Sequence, residues 1–144
     1  MKKEFSTKWI ESTQPRKQRK YLANAPLSIK RKMISSNLNK ELRKKYSRRN
    51  FVLIKGDEVK IMNGEFKGKR GKVSGVNTKK LRVSIEGIQR AKKDGTKINI
   101  LFHASNLQIQ TLNLEDQKRI KSIQKRTKDK LEETKEKETK QEKK

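Results

Sequence analysis

The run Lys55-Gly56-Asp57-Glu58-Val59-Lys60-Ile61-Met62-Asn63-Gly64-Glu65-Phe66-Lys67-Gly68-Lys69-Arg70-Gly71-Lys72-Val73 carries the most structural information in this chain. Glu58-Val59-Lys60-Ile61 alternates polar and apolar, which predicts a half-buried strand. A loop with three glycines follows, and a second strand begins near Lys72. Gly64, Gly68 and Gly71 allow positive φ and close backbone approach. Lys67, Lys69 and Arg70 then project from the loop tip, where cations and backbone N–H groups can meet phosphate oxygens. The spacing is not that of a Walker A loop, since no Gly-Lys-Ser/Thr ends it. A second use of the glycines is to turn a sharp barrel corner.

Outward from this run, period two persists. Lys72–Val76, Leu81–Ile85, Ile98–Phe102 and Leu107–Gln110 read as strands rich in β-branched residues. Breakers stand between them at Asn63-Gly64, Lys67-Gly68, Asn77-Thr78 and Lys93-Asp94-Gly95. Asp94-Gly95 between two alternating runs signals a hairpin. Five short antiparallel strands between residues 51 and 113 suit a small curled barrel, which hides most of its edges.

The flanks differ. Residues 1–50 hold sixteen Lys and Arg against three acids and read as a basic, extended arm with almost no core of its own. Gln14–Lys20 is basic and aperiodic, and Pro26 biases Ala25 toward extended structure. Ser35-Ser36-Asn37 offers helix caps, and Leu38, Leu42 and Tyr46 recur at i, i+4, i+8, predicting a short helix over 36–47. So short a helix must dock its stripe, and the barrel is the simplest dock. After the barrel, Asn113-Leu114-Glu115-Asp116 reads as a cap and first turn, with a helix over 114–126 carrying Ile120 and Ile123. Residues 127–144 are almost wholly Lys, Glu and Thr and are expected to be a solubilising tail, either disordered or a fraying, solvent-exposed helix held by Glu–Lys pairs.

Composition agrees with this division. Of 144 residues, 29% are apolar and 40% charged, too polar for one well-filled globule. Lys and Arg number 41 against 16 acids, a net charge of +25 that destabilises any compact form of the free chain and that a polyanion would relieve. Nucleic acid fits first. An anionic membrane fits poorly, because no apolar run approaches the roughly 20 residues needed to span a bilayer. Cysteine is absent and histidine occurs once, so Cys-based zinc sites and disulfides are excluded and no metal or other cofactor is expected. No apolar segment follows the basic N-terminus as a secretory signal would require.

Segment 55–73 resembles a KOW motif, the strand–loop–strand unit of SH3-like barrels in ribosomal proteins and transcription elongation factors. Further stretches narrow the resemblance: Pro15–Lys20, Ala25-Pro26-Leu27, Ser36–Tyr46 and Phe102-His103-Ala104-Ser105-Asn106-Leu107. Together they are similar to the archaeal and eukaryotic branch of the large-subunit ribosomal protein L-twenty-four family, from about residue 15 to about residue 123. That family often has proline where Ala104 stands here. The resemblance implies a mainly β fold, a small SH3-like five-stranded barrel with a KOW motif. It implies direct binding of large-subunit rRNA and early assembly, near the outer mouth of the nascent-chain tunnel. Implied partners are that rRNA and neighbouring large-subunit proteins, in the cytoplasm. No small-molecule substrate, membrane insertion or homo-oligomer is expected.

The residues assigned to RNA are Arg16, Lys17, Arg19 and Lys20, Lys30, Arg31 and Lys32, Arg43 and Lys44, Arg48 and Arg49, and Lys55. Lys67, Lys69, Arg70, Lys79, Lys80 and Arg90 join them, with His103, Ser105 and Asn106 at the last turn. Arginine suits bidentate phosphate binding and lysine a point charge. His103 is either a polar contact or a packed turn residue; as a catalytic base it lacks an adjacent nucleophile and a paired carboxylate. Ser105 and Asn106 can contact phosphate or cap the turn. Phe5, Trp9 and Tyr21 can stack on bases or pack on protein, while Phe66 and Phe102 fit the core. Two other functions compete. A KOW-type transcription elongation or antitermination factor would bind RNA polymerase and nascent RNA, but the upstream arm is no folded companion domain. An RNA-modifying enzyme would need an acid–base pair, metal cluster or nucleotide loop that the sequence lacks.

Overall fold

The computed structural model describes residues 5–6 and 12–123. Its elements run α1 (Pro15–Asn24), α2 (Leu27–Met33), β1 (Ser35–Leu38), α3 (Lys40–Tyr46), β2 (Asn50–Val52) and β3 (Glu58–Ile61). Then come β4 (Arg70–Asn77), β5 (Arg82–Ala91), β6 (Lys97–His103), a 3-10 turn (Ala104–Asn106) and β7 (Leu107–Thr111). A helix, α4, occupies residues 117–123.

The five expected strands are present as β3 to β7. Val59 and Ile61, Val83 and Ile85, and Leu107 and Ile109 are i, i+2 pairs, each residue at most 1% exposed. With Val73, Leu38, Ile34 and Leu53 they form one core cluster. Alternation thus turns one face of β3, β5 and β7 inward, and full burial of each such side chain contributes about 1.5–3 kcal/mol against the entropy of ordering it; β6 buries no residue and leaves Ile98 and Leu101 exposed. The Asp94-Gly95 hairpin forms as read: Lys92 N donates to Thr96 O at 2.8 Å, and Gly95 has φ +79°. At the other turn, Leu81 adopts a left-handed φ of +53°, so β5 starts one residue later than alternation predicts.

The sheet is larger than expected and open. Among the described residues seven strands lie in the order β2-β1-β7-β3-β4-β5-β6. β6 passes into β7 through the 3-10 turn instead of pairing with it, and the outer edge of β7 is taken by β1 in parallel register, Asn37 opposite Gln108. Hydrogen bonding therefore does not close a ring.

Three expectations are corrected. Residues 15–24 form a helix, not an aperiodic extended arm. Pro15 occupies its first turn, where a missing N–H costs nothing, and Gln18 N donates to Gln14 O at 3.0 Å. The helix buries no residue; good helix formers, not a core face, sustain it. Residues 36–38 are strand, not helix. Ser36 is buried, and its hydroxyl lies 2.7 Å from Ala104 O and also contacts Leu107 O, while the backbone of β1 pairs with β2 and β7. Helix α3 starts at Lys40 with Asn39 as its cap, and Leu42 and Tyr46 pack against the core. The sheet thus reaches into the stretch read as an arm. Finally, α4 starts at residue 117, not 114. Asp116 Oδ1 caps it by accepting from Lys118 N at 2.9 Å, while Asn113 Oδ1 accepts from Glu115 N at 3.0 Å in a turn ahead of the helix and Asn113 N donates to Asp57 Oδ1 at 2.9 Å. Trp9 and the expected tail at 127–144 lie outside the described residues.

Candidate nucleic-acid interface

The glycine loop joins β3 to β4. Gly68 N donates to Ile61 O at 2.8 Å and Ile61 N to Lys69 O at 2.9 Å, closing its neck. Inside, Lys67 N donates to Gly64 O and Lys69 N to Phe66 O, both at 3.1 Å. Gly64 and Gly68 have φ of +92° and +89°, in the region that L side chains rarely adopt. Gly71 plays a different part. It lies within β4, where an added Cβ would stand 2.7 Å from Ile85 Cγ2 and 3.0 Å from Glu86 O. Lys67, Lys69 and Arg70 are exposed, and Lys69 Nζ sits 5.2 Å from the centroid of Phe66.

The fold brings the second sequence motif against this loop. Met62 N donates to Asn106 O at 2.8 Å, and Phe66 meets Phe102 edge-on, their ring centroids 6.2 Å apart. His103 caps the 3-10 turn: its Nδ1 lies 3.4 Å from Ser105 N and 2.8 Å from Ser105 Oγ. A backbone N–H can only donate, so Nδ1 is the acceptor and the neutral ring carries its proton on Nε2. The Ser105 hydroxyl, beside that same nitrogen and 3.4 Å from Asn106 Oδ1, serves the turn.

The remaining predicted residues divide by what they touch. Arg16, Lys17, Arg19 and Lys20 stand on α1, and Arg31 and Lys32 are exposed on α2. Lys30 Nζ donates to Ala23 O at 3.2 Å, tying α2 to α1. Lys44 and Arg49 are exposed, whereas Arg43 Nε donates to Leu38 O at 2.7 Å. Arg48 donates from Nη2 to Ser122 O at 3.1 Å and lies 4.9 Å over the Phe51 ring. These two arginines hold the fold together. Lys79 and Lys80 flank a turn capped by Asn77 Oδ1, which accepts from Lys80 N at 2.9 Å. Arg90 pairs with Glu65 of the glycine loop. Lys55 and Arg31 line a separate apolar groove of about 430 Å³ between α2, β2 and β4.

Arg82, not among the residues assigned to RNA from the sequence, opens β5 opposite His103. Its signal was present: alternation through Leu81-Arg82-Val83 with Val83 inward sends Arg82 outward. Among the described residues no cluster of three or more His, Cys, Asp and Glu could hold a metal ion, and no helix is long and apolar enough to cross a membrane. What the surface offers is exposed cations on α1, α2 and the loops of the sheet, with two backbone turns meeting at one end.

A model of the family of ribosomal proteins called L26 in eukaryotes and L24 in archaea matches residues 12–126. The chain belongs to this family. The match runs from just before α1 to just beyond α4, so it takes in the glycine loop and the His103 turn alike. Within the L26/L24 family, the large ribosomal subunit protein uL24 of Korarchaeum cryptofilum (strain OPF8) is 41% identical over 110 residues, 76% of this chain and 84% of that protein. The protein of the same name from Methanosphaera stadtmanae is 41% identical over 112 residues, 78% of this chain and 96% of its own.

Proposed function

We propose that the protein is a structural constituent of the large ribosomal subunit that binds large-subunit rRNA directly, by phosphate neutralisation and shape fit. The observation that carries this reading is membership of the L26/L24 family over nearly the whole described chain. The net charge of +25 and the exposed cations on α1, α2, the glycine loop and the Lys79-Lys80 turn support it. Each neutralised phosphate releases condensed counterions, so such binding draws on charge and needs little reading of base sequence. The KOW reading of Lys55–Val73 and the SH3-like reading of β3–β7 belong to the same proposal; the strand–loop–strand geometry around Gly64 and Gly68 supports both. Early assembly near the tunnel mouth also belongs to this proposal and rests on the family resemblance. The protein works in the cytoplasm as part of the ribosome, and no chemical reaction is assigned to it. The family and both relatives are ribosomal, so the transcription reading is not carried further.

The test is sedimentation of the tagged protein on sucrose gradients, with and without EDTA to split the subunits. It is expected to follow the large subunit through splitting and moderate salt. Recovery at the top of the gradient, or with RNA polymerase, would overturn the proposal.

A further inference from the structure

The glycine loop, the β5–β6 face and the His103 turn enclose a groove of about 320 Å³. That is at the lower end of the ~300–1,000 Å³ found for sites that take small ligands. Phe66 and Phe102 are half-buried and supply aromatic surface to it. Arg82 and Arg90 line it from β5, while His103 and Asn106 line it from the turn. Because Nδ1 of His103 is occupied by Ser105, the nitrogen left to meet a ligand is Nε2, and in the neutral ring it is a donor. The groove therefore combines aromatic surface, two guanidinium groups and an oriented N–H donor.

We infer that this groove holds a single unpaired nucleotide of RNA, with its base against Phe66 and Phe102. Its phosphate meets Arg82 and Arg90, and a base or backbone acceptor takes the hydrogen bond from His103 Nε2. The inference rests on the RNA-binding reading above and adds to it the strand state of the ligand. The occupant follows from charge and shape. A chain of net charge +25 selects a polyanion. Of polyanions, only a nucleic acid offers a flat base that stacks on aromatic rings, and that base enters a groove only where the strand is unpaired. Glu65 also lines the groove, paired with Arg90, but both side chains are more than 60% exposed. Exposed pairs of this kind are weak, so phosphate displaces Glu65 from Arg90 without opposing a buried interaction.

Two substitutions separate this role from capping. His103→Asn keeps a side-chain acceptor for Ser105 N but removes the distal donor. His103→Gln carries an amide N–H at about the position of Nε2. Isotope-labelled full-length protein is titrated with short single-stranded oligoadenylate and with a blunt RNA duplex of equal length. The expected result is that the single strand shifts the His103 ring signals and the Gly64 and Asn106 amides, and the duplex does not. His103→Asn then weakens single-strand binding about five- to tenfold, His103→Gln stays within about twofold of the parent, and duplex affinity is unchanged in both. Equal behaviour of the two RNAs at the groove, or equal affinity of the two variants for the single strand, overturns the inference and leaves the RNA reading standing. Failure of the parent protein to bind either RNA overturns both.

Discussion

Asp57 and Arg119 form a two-point ion pair in the interior, Nη1 to Oδ1 at 2.7 Å and Nη2 to Oδ2 at 2.8 Å. Their side chains are 0% and 5% exposed. Asp57 also accepts from Ile54 N at 3.0 Å and Asn113 N at 2.9 Å, while Arg119 donates to Asn113 O at 2.8 Å and Val52 O at 3.1 Å. The guanidinium carbon lies 5.0 Å from the centroid of Phe51. One pair thus joins α4 to the β2–β3 turn, and Ile123 enters the core beside it.

Removing one partner of such a pair strands a buried charge. Arg119→Met is expected to cost about 3–5 kcal/mol in chemical denaturation. Adding Asp57→Asn to Arg119→Met should cost less than the two single changes summed, because the stranded carboxylate is gone. Simple additivity would mean that the pair is not coupled.

Gly71 and Gly68 should fail for different reasons when replaced by alanine. Gly71→Ala drives a Cβ onto Ile85 Cγ2 and costs about 1–3 kcal/mol through crowding. Ile85→Leu moves the branch away from Cβ and should restore part of the loss. Gly68→Ala meets open space but keeps φ near +89°, costing about 1–2 kcal/mol. There Ile85→Leu should restore nothing. Thermal melts of the four variants decide it.

Ser36→Ala removes a buried hydroxyl whose contacts with Ala104 O and Leu107 O tie β1 to the 3-10 turn and β7. The expected loss is about 1–3 kcal/mol. Amide exchange should quicken at Asn39, whose N–H donates to Ile109 O at 2.9 Å across the same junction. Unchanged exchange there would mean that the backbone ladder alone holds β1.

Basic residues should divide under salt titration. Replacing Arg16, Arg19 and Lys20 by Gln leaves the melting temperature unchanged, since α1 buries nothing. It should flatten the plot of log affinity for rRNA against log salt by about 0.7–0.9 for each phosphate no longer neutralised. Arg43→Gln removes the hydrogen bond to Leu38 O and should lower stability instead. A fall in melting temperature for the α1 variant, or none for Arg43→Gln, would contradict this division.

Strand number from Glu58 to Gln110, and the inward faces of β3, β5 and β7, were readable because period two repeats there and little else competes with it; β6 alternates too, yet lies at the sheet's edge and buries nothing. The strand–loop–strand of Lys55–Val73 was readable because glycines break the period-two pattern between two alternating runs. Helix α1 was not, because it has no apolar stripe; its evidence is Pro15 and propensity, both weak signals. Strand β1 was misread because Leu38, Leu42 and Tyr46 do fall at helical spacing, although Leu38 belongs to a different element.

By itself, the sequence determined the alternating strands, their turns at Asn77-Thr78 and Asp94-Gly95, the excess of positive charge and the family. These are local or additive properties, carried by neighbours in the chain or by simple counts. Only the tertiary structure decided that Ser36 lies under Ala104, that Asp57 receives Arg119 across 62 positions, and that the glycine loop meets the His103 turn. Such contacts depend on which distant groups burial brings together. A buried hydroxyl, carboxylate or guanidinium must find a partner wherever the fold supplies one, and no periodicity within either segment says where that will be.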